Sequence, residues 1–385
     1  MRTFIALFSL FLVFAGCSGN ASDEMDTSRV DNPHQGEWQT AETPPIHFEL
    51  EQTWGVEDGE PEEMLARVGR IEVDEQGNIY MLDGQAGTLA SWDAEGNHRW
   101  TIAGKGEGPG EFQYAFSMVF DGVESLYVFN QSGSRLDRFT TSGEFQESTN
   151  TESFGLSSLN GIGMLDANRM VTSETLWGVL GTGVRVLSKE SGSWALADSF
   201  DVDQTGDFDM PEGVSSGPTI DMVDGQIVNG HTSHYQIEFR TADGLVSKTV
   251  TREFEGLVRV GVGEYGNTTM IANFSQLNTP MPVGSDYYLV EAWWPEKAFD
   301  PDERVRLMMA QRNGGAPLGE SIQNLSTLDL YDGDFNLLYS LETPGRGHNA
   351  FGRILTTDDQ GRIYAVTKAD FPQIGRYRVE ITPPE

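Results

Sequence analysis

Hydrophobic residues in this chain alternate over short runs, and the runs come in pairs. "RIEVDEQGNIYMLD" (Arg70–Asp83) is apolar at every second position, breaks at "DEQGN", and then resumes. "GTLASWDAEGNHRWTI" (Gly87–Ile102) repeats the arrangement around "DAEGN", and the two turn aspartates, Asp74 and Asp93, stand 19 residues apart. Period-two alternation around an Asp/Gly turn predicts a β-hairpin. Two hairpins make a four-stranded unit, and the unit returns with drift. "SMVFDGVESLYVFN" with "SRLDRFTTSGEFQES" predicts a second, and "NGIGMLDANRMVTS" with "GVRVLSKESGSWALADSF" a third. "PTIDMVDGQIVNG" with "YQIEFRTADGLVSKTV" predicts a fourth, and "PMPVGSDYYLVEAWW" with the distant "LSTLDLYDGDFNLLYSLE" a fifth. "GRILTTDDQGRIYAVT" and "GRYRVEI" supply three strands of a sixth before the chain stops at Glu385.

The missing strand has a candidate at the other end of the chain. "IHFELEQTWGV" (Ile46–Val56) alternates but has no neighbour of its own. A ring of small sheets removes its exposed edges when the first strand completes the last sheet. The expected fold is therefore all-β, a six-bladed β-propeller closed by an N-terminal strand that completes the last blade, spanning residues 46–385. A two-sheet sandwich built from the same hairpins is the competing architecture, but it leaves the spare first strand unexplained.

One interruption is not β-like. In "DPDERVRLMMAQRNGG", Asp300 stands as a cap and Pro301 at the first helical position, with acids in the first turn and Gly314 past the end. These are helix start and stop signals, set against an extra strand through Val305–Ala310. The insertion, residues 296–323, falls between the second and third strands of blade five, and the expectation is a lid or docking element over the channel mouth.

The glycine-rich "GKGEGPGEF" (Gly104–Phe112) invites comparison with a phosphate-binding loop. Its lysine precedes all the glycines but Gly104, no Ser or Thr follows it, no helical pattern begins, and Glu107 and Glu111 would repel phosphate. It reads as the connection from blade one to blade two.

The first residues carry an address. "MRTFIALFSLFLVFAGC" places Arg2 before an apolar run from Phe4 to Ala15, the form of a secretory signal and too short for a spanning helix. "VFAGC" resembles the lipobox of bacterial lipoproteins, with Phe14 where that family prefers Leu. The resemblance implies a signal peptide over residues 1–16 and cleavage before Cys17, the only cysteine, which would carry the acyl chains. Residues 17–45 then read as the lipidated cysteine and a flexible polar tether. The implied location is exported and lipid-anchored, at the outer membrane or the periplasmic face of a bacterial envelope; Ser18 after the cysteine fits outer-membrane sorting.

Charge narrows the partners. The 59 acids outnumber the 25 bases, giving a net charge of −34, so a nucleic-acid role is excluded. The acids are scattered, as on a solvated surface suited to salty surroundings.

"EVDEQGNIYMLD…LASWDAEGNHRWTIAGKGEGPGEF" resembles the repeats of bacterial NHL-like six-bladed β-propellers, including their lipoprotein members. The resemblance covers roughly Ile46 to Ile381 and implies fold and location, not activity. In a propeller, the loops between second and third strands gather at one end of the channel with the inter-blade connections. Those loops supply Asp83, Asn130, Gln131, Trp177, His231, His234, Trp293 and Asp370 as the candidate ligand-binding face. Such aromatic and polar groups suit a sugar, a peptide or another organic ligand. His231 and His234 could share a metal only if the chain turns between them, and no third histidine lies near. No catalytic set is identifiable and no cofactor is indicated by the residues, though some related propeller enzymes hold Ca²⁺, for which Asp83 and Asn130 could serve. The expected function is a lipid-anchored scaffold for a small-molecule or protein ligand at the channel mouth, held to the membrane through Cys17. A Ca-dependent propeller hydrolase or lyase is the alternative.

Overall fold

The Asp-led turns that punctuate the sequence recur as one hydrogen-bonded device. Asp74 Oδ1 accepts the main-chain N–H groups of Gln76 and Asn78, and Asp93, Asp332 and Asp358 repeat the pattern two and four residues on. The carboxylate satisfies amides that the tight turn leaves without strand partners, while Gly77, Gly96 and Gly361 take the left-handed conformation that closes it. In blades one and six a tyrosine of the next strand also donates to the turn aspartate: Tyr80 to Asp74 and Tyr364 to Asp358.

These hairpins assemble into six small sheets in a ring, a six-bladed β-propeller. The computed structural model describes residues 27–61, 63–155, 159–175, 181–203, 219–231, 234–257, 261–273, 275–296, 300–312, 324–344 and 351–384. The chain begins with β1 (Ser28–Asn32) and β2 (Ile46–Trp54). Blade one holds β3 (Val68–Val73), β4 (Ile79–Asp83), β5 (Thr88–Trp92) and β6 (His98–Ala103). Blade two holds β7 (Ser117–Phe120), β8 (Ser125–Asn130), β9 (Arg135–Thr140) and β10 (Phe145–Asn150). Blade three holds β11 (Asn160–Asp166), β12 (Arg169–Thr175), β13 (Gly181–Glu190) and β14 (Ser193–Asp203). Blade four holds β15 (Thr219–Val223), β16 (Gln226–Gly230), β17 (Gln236–Arg240) and β18 (Val246–Arg252). A separate hairpin, β19 (Gly261–Tyr265) with β20 (Thr268–Asn273), precedes blade five. Blade five holds β21 (Gln276–Leu277) and β22 (Met281–Val283) one after the other along β23 (Tyr287–Pro295), then, after helix α1 (Pro301–Arg312), β24 (Asn324–Asp332) and β25 (Leu337–Pro344). Blade six holds β26 (Ile354–Thr357), β27 (Ile363–Val366) and β28 (Ile374–Ile381), with β2 as its outer strand.

The closure by an N-terminal strand is thus observed: β2 pairs antiparallel with β28 from Ile46–Ile381 to Trp54–Ile374. A bulge between Leu50 and Gln52 changes which face the even-numbered residues take. Ile46 and Phe48 therefore pack between blades five and six, while Trp54 packs between blades six and one.

The core is divided in the same way. Each pair of neighbouring blades shares one apolar cluster. On β4, Ile79 and Met81 face blade six, whereas Tyr80 and Leu82 face blade two. Because both faces of the blade are covered, β4 is buried at all of its positions, and Ile79–Leu82 form a continuous apolar run where the sequence reading expected alternation.

Two features depart from the sequence reading. The span read as a flexible tether is ordered from residue 27 onward. β1 adds a fifth, parallel strand to blade four; Asn32 donates to Phe335 O and Thr251 O and accepts the Leu337 N–H. Further on, Glu37 and Trp38 donate to Leu337 O and Leu338 O. The strap thus ties blades four and five together before the chain enters blade six. Its amides find partners because β18 and β25 offer open outer edges.

Helix α1 forms where the capping signals placed it, with Asp300 Oδ1 accepting the Glu303 N–H. It packs on the β19–β20 hairpin, which the alternation did not reveal: Glu264 N donates to Asp302 Oδ1 and Val305 is fully buried. Its described residues line neither of the cavities described below, and residues 297–299 and 313–323 of the insertion, on which the lid or docking expectation also rests, lie outside the described residues.

Candidate functional site

"GKGEGPGEF" joins β6 to β7, as its composition suggests. Phe112 N donates to Gly104 O and Gly106 N to Phe112 O, while Glu111 folds back to accept the Gly108 N–H. Asn130 and Arg135 clamp its carbonyl groups from blade two.

The first strands of the blades surround a central channel of about 760 Å³. Its polar wall includes Arg70 and Glu72 of β3, Asn160 of β11, and Thr219 and Asp221 of β15. Strand alternation sets the pattern: Arg70 and Glu72 look into the channel while Ile71 between them is buried in the core. Arg70 donates to Glu72 Oε1 at 3.0 Å and to Ile162 O at 3.0 Å. Burial works against the Arg70 charge, but the Glu72 and Asp221 carboxylates outweigh it and hold its pKa above the usual arginine range. Burial likewise pushes the carboxyls of Glu72 and Asp221 up, opposed in each by Arg70.

At the end of the channel where the first strands begin lies a mouth of about 380 Å³, lined by Arg67, Gln276, Asn278, Glu291, Trp293 and Arg353. Glu291 and Trp293 alternate with Val290, Ala292 and Trp294, which face the core between blades four and five. Glu291 accepts from Asn278 Nδ2 at 2.8 Å and is only 4% exposed. Burial and the neighbouring Arg67 charge lower the Arg353 pKa, against the pull of Glu291.

Of the residues expected on this face, only Trp293 lines the mouth. Asp83 and Asn130 end the second strands of blades one and two as buried structural caps. Asp83 accepts four main-chain N–H groups, from Ala66, Arg67, Gln85 and Ala86. Asn130 accepts from Gln113 and Gln131 and donates to Glu111 O and Asp137. With these bonds made, neither has a free oxygen directed at a ligand. Gln131, at φ 50°, is the turn residue beside Asn130, and Asp370 is exposed and lies outside both cavities. Trp177 lies outside the described residues.

His231 and His234 do come together, because the chain turns after β16: His231 N donates to Gln236 O and Gln236 N to His234 O. Their rings stack at 4.6 Å, with His231 buried and its Nε2 3.6 Å from Glu238. Neither lines the channel, and among the described residues no three His, Cys, Asp or Glu side chains are grouped to hold a metal.

The channel residues Arg67, Arg70, Glu72, Asp221, Glu291 and Arg353 escaped the sequence reading, which looked to loops. The signal for Arg70 and Glu72 was charge at alternate positions of a first strand, where a core-facing strand would be apolar.

No family model matches the chain, and no curated protein matches its sequence. Solved structures share the fold. An exported protein of Bacteroides fragilis, described as putative in that role, is 10% identical over 92% of this chain and 100% of its own, at a TM-score of 0.51. A member of the DUF4221 family from Bacteroides vulgatus is 10% identical over 88% of this chain and 99% of its own, at 0.55. Virginiamycin B lyase from Staphylococcus aureus is 13% identical over 86% and 99%, but its TM-score of 0.41 carries no argument about this chain. These likenesses establish the propeller and nothing narrower.

Proposed function

We propose that this protein is an exported, lipid-anchored binding propeller of a bacterial cell envelope that holds a small organic ligand in its central channel. The observation that carries the reading is the channel itself. At about 760 Å³ it is within the size range of small-molecule sites, and its wall mixes apolar side chains with polar ones. The export signal and "VFAGC" support the location, as does the resemblance of the repeats to NHL-like lipoprotein propellers.

The test is ligand-dependent stabilisation. A panel of sugars, organic acids and short peptides is screened by thermal shift against the protein and against Met164→Trp, which narrows the channel from β11. A ligand that stabilises the protein and not the variant supports the reading. Equal stabilisation of both by every active compound overturns it.

A hydrolase or lyase is the second reading, favoured by Glu72 and Asp221, whose raised carboxyl pKa values suit proton transfer. In this form of the reading Arg70, hydrogen-bonded to Glu72 and within electrostatic reach of Asp221, supplies the positive charge, and no Ca²⁺ is invoked.

A further inference from the structure

We propose that Arg67 and Arg353 form an oxyanion receptor at the channel mouth, taking the carboxylate or sulfate of a ligand whose uncharged polar body extends inward. The proposal rests on the channel being the binding site and names the class of ligand that it takes.

The chain is strongly acidic, and most of its described arginines are held by carboxylates, among them Arg70, Arg135, Arg185, Arg240, Arg252 and Arg362. Among the described residues no ion pair at salt-bridge distance includes Arg67 or Arg353, yet the fold brings the two cations into one cavity wall. Setting like charges side by side is unfavourable unless an anion joins them. Arg353 gives one N–H to Val68 O at 3.2 Å. A guanidinium has five N–H groups in a planar fork that matches the two oxygens of a carboxylate or sulfate.

The main chain on both sides is pinned, which fixes where the two side chains leave the backbone. Asp83 Oδ2 accepts the Arg67 N–H at 2.9 Å. Val366 N donates to Arg353 O at 2.9 Å, and Gly352 N donates to Val366 O at 2.7 Å. Glu291 offsets part of the positive charge, which leaves the mouth suited to a single anionic group.

Charge deeper in the channel fixes the ligand's orientation. Below the mouth, Arg70 is hydrogen-bonded to Glu72 and to Ile162 O, with the charge of Asp221 acting on it as well, and the far end carries Asp121 and Asp224. An anion is attracted at the mouth and repelled further in. The inner wall offers a neutral hydroxylated body Asn160 and, as acceptors, the hydroxyl oxygens of Thr219 and Thr356, whose protons go to Leu277 O and Thr357 O. A sugar acid has both parts.

The experiment is titration calorimetry of the full chain in detergent at low ionic strength with three probes: D-glucuronate, inorganic sulfate and D-glucose. Glucuronate is expected to bind at least about tenfold more tightly than glucose. Arg67→Gln and Arg353→Gln should each weaken it about tenfold or more, and Arg353→Lys by less, while the exposed Asp370→Asn leaves it unchanged. Glucuronate tighter than sulfate assigns an organic acid, whereas equal affinity assigns a bare oxyanion site; both support the receptor. Glucuronate and sulfate binding no more tightly than glucose, or binding unaltered in both arginine variants, overturns it. If glucose binds and is lost in Met164→Trp but not in the arginine variants, the channel reading stands and the receptor falls.

Discussion

The carboxylate of Asp83 holds the main chain of Arg67: Oδ2 accepts the Arg67 N–H at 2.9 Å and the Ala66 N–H at 2.7 Å. A residue expected to touch ligand thus supports one that does line the mouth. Asp83→Ala leaves four amides without their acceptor, at a cost of about 3 kcal/mol or more. The expected outcome is a lower urea midpoint together with weaker oxyanion binding. Unchanged binding in the folded fraction would separate Asp83 from the mouth.

Between blades four and five, Arg252 Nη1 donates to Asp329 Oδ2 at 2.6 Å, and Tyr235 donates to the same oxygen at 2.6 Å. Both charged side chains are almost completely buried. Arg252→Met leaves the carboxylate uncompensated and should cost about 3–5 kcal/mol. Arg252→Met combined with Asp329→Leu should recover part of that loss. Denaturant unfolding of the single and double variants checks the expectation.

Acid should loosen blade four through Glu238. The His231 ring, with Arg240 and Gln236, holds its carboxyl down to about 2 against the opposing effect of burial. The folded-state pKa lies below the ordinary 4.5, so the stabilisation is present above about 4.5 and is lost as pH falls toward 2. Glu238→Gln should flatten the stability profile in that window and leave its slope above pH 5 unaltered. Urea midpoints measured across the window provide the comparison.

The N-terminal strap should contribute measurably to stability. Asn32→Ala removes two side-chain donations and the acceptor of the buried Leu337 N–H, at about 2–3 kcal/mol. Gly36→Ala is expected to be harmful as well, since a Cβ there would stand 2.3 Å from Leu338 O. Deleting residues 27–41 should lower the melting temperature more than either substitution. Equal melting temperatures for the deletion and the intact chain would show that the strap carries no load.

Attachment to the membrane should depend on Cys17. Cys17→Ser is expected to release the protein into the soluble fraction and abolish labelling by a fatty-acid probe. A variant that stays membrane-bound and labelled would sink the lipoprotein reading.

The alternation of the strands, the Asp-led turns and the unpaired run at Ile46 were written in the sequence. They are local: period-two burial and turn chemistry act over a few residues, and a spare strand next to a short blade leaves one economical way to close the ring. The helix start at Asp300 and Pro301 was legible for the same reason. Tertiary structure alone decided where β1 and the strap lie, because their partners, Thr251 and Leu337, are more than 200 residues away in the chain. It likewise decided the site. Whether an aspartate such as Asp83 meets a ligand or four amides depends on which connector passes beside it, and Arg67 and Arg353 become neighbours only when the sixth blade closes against the first.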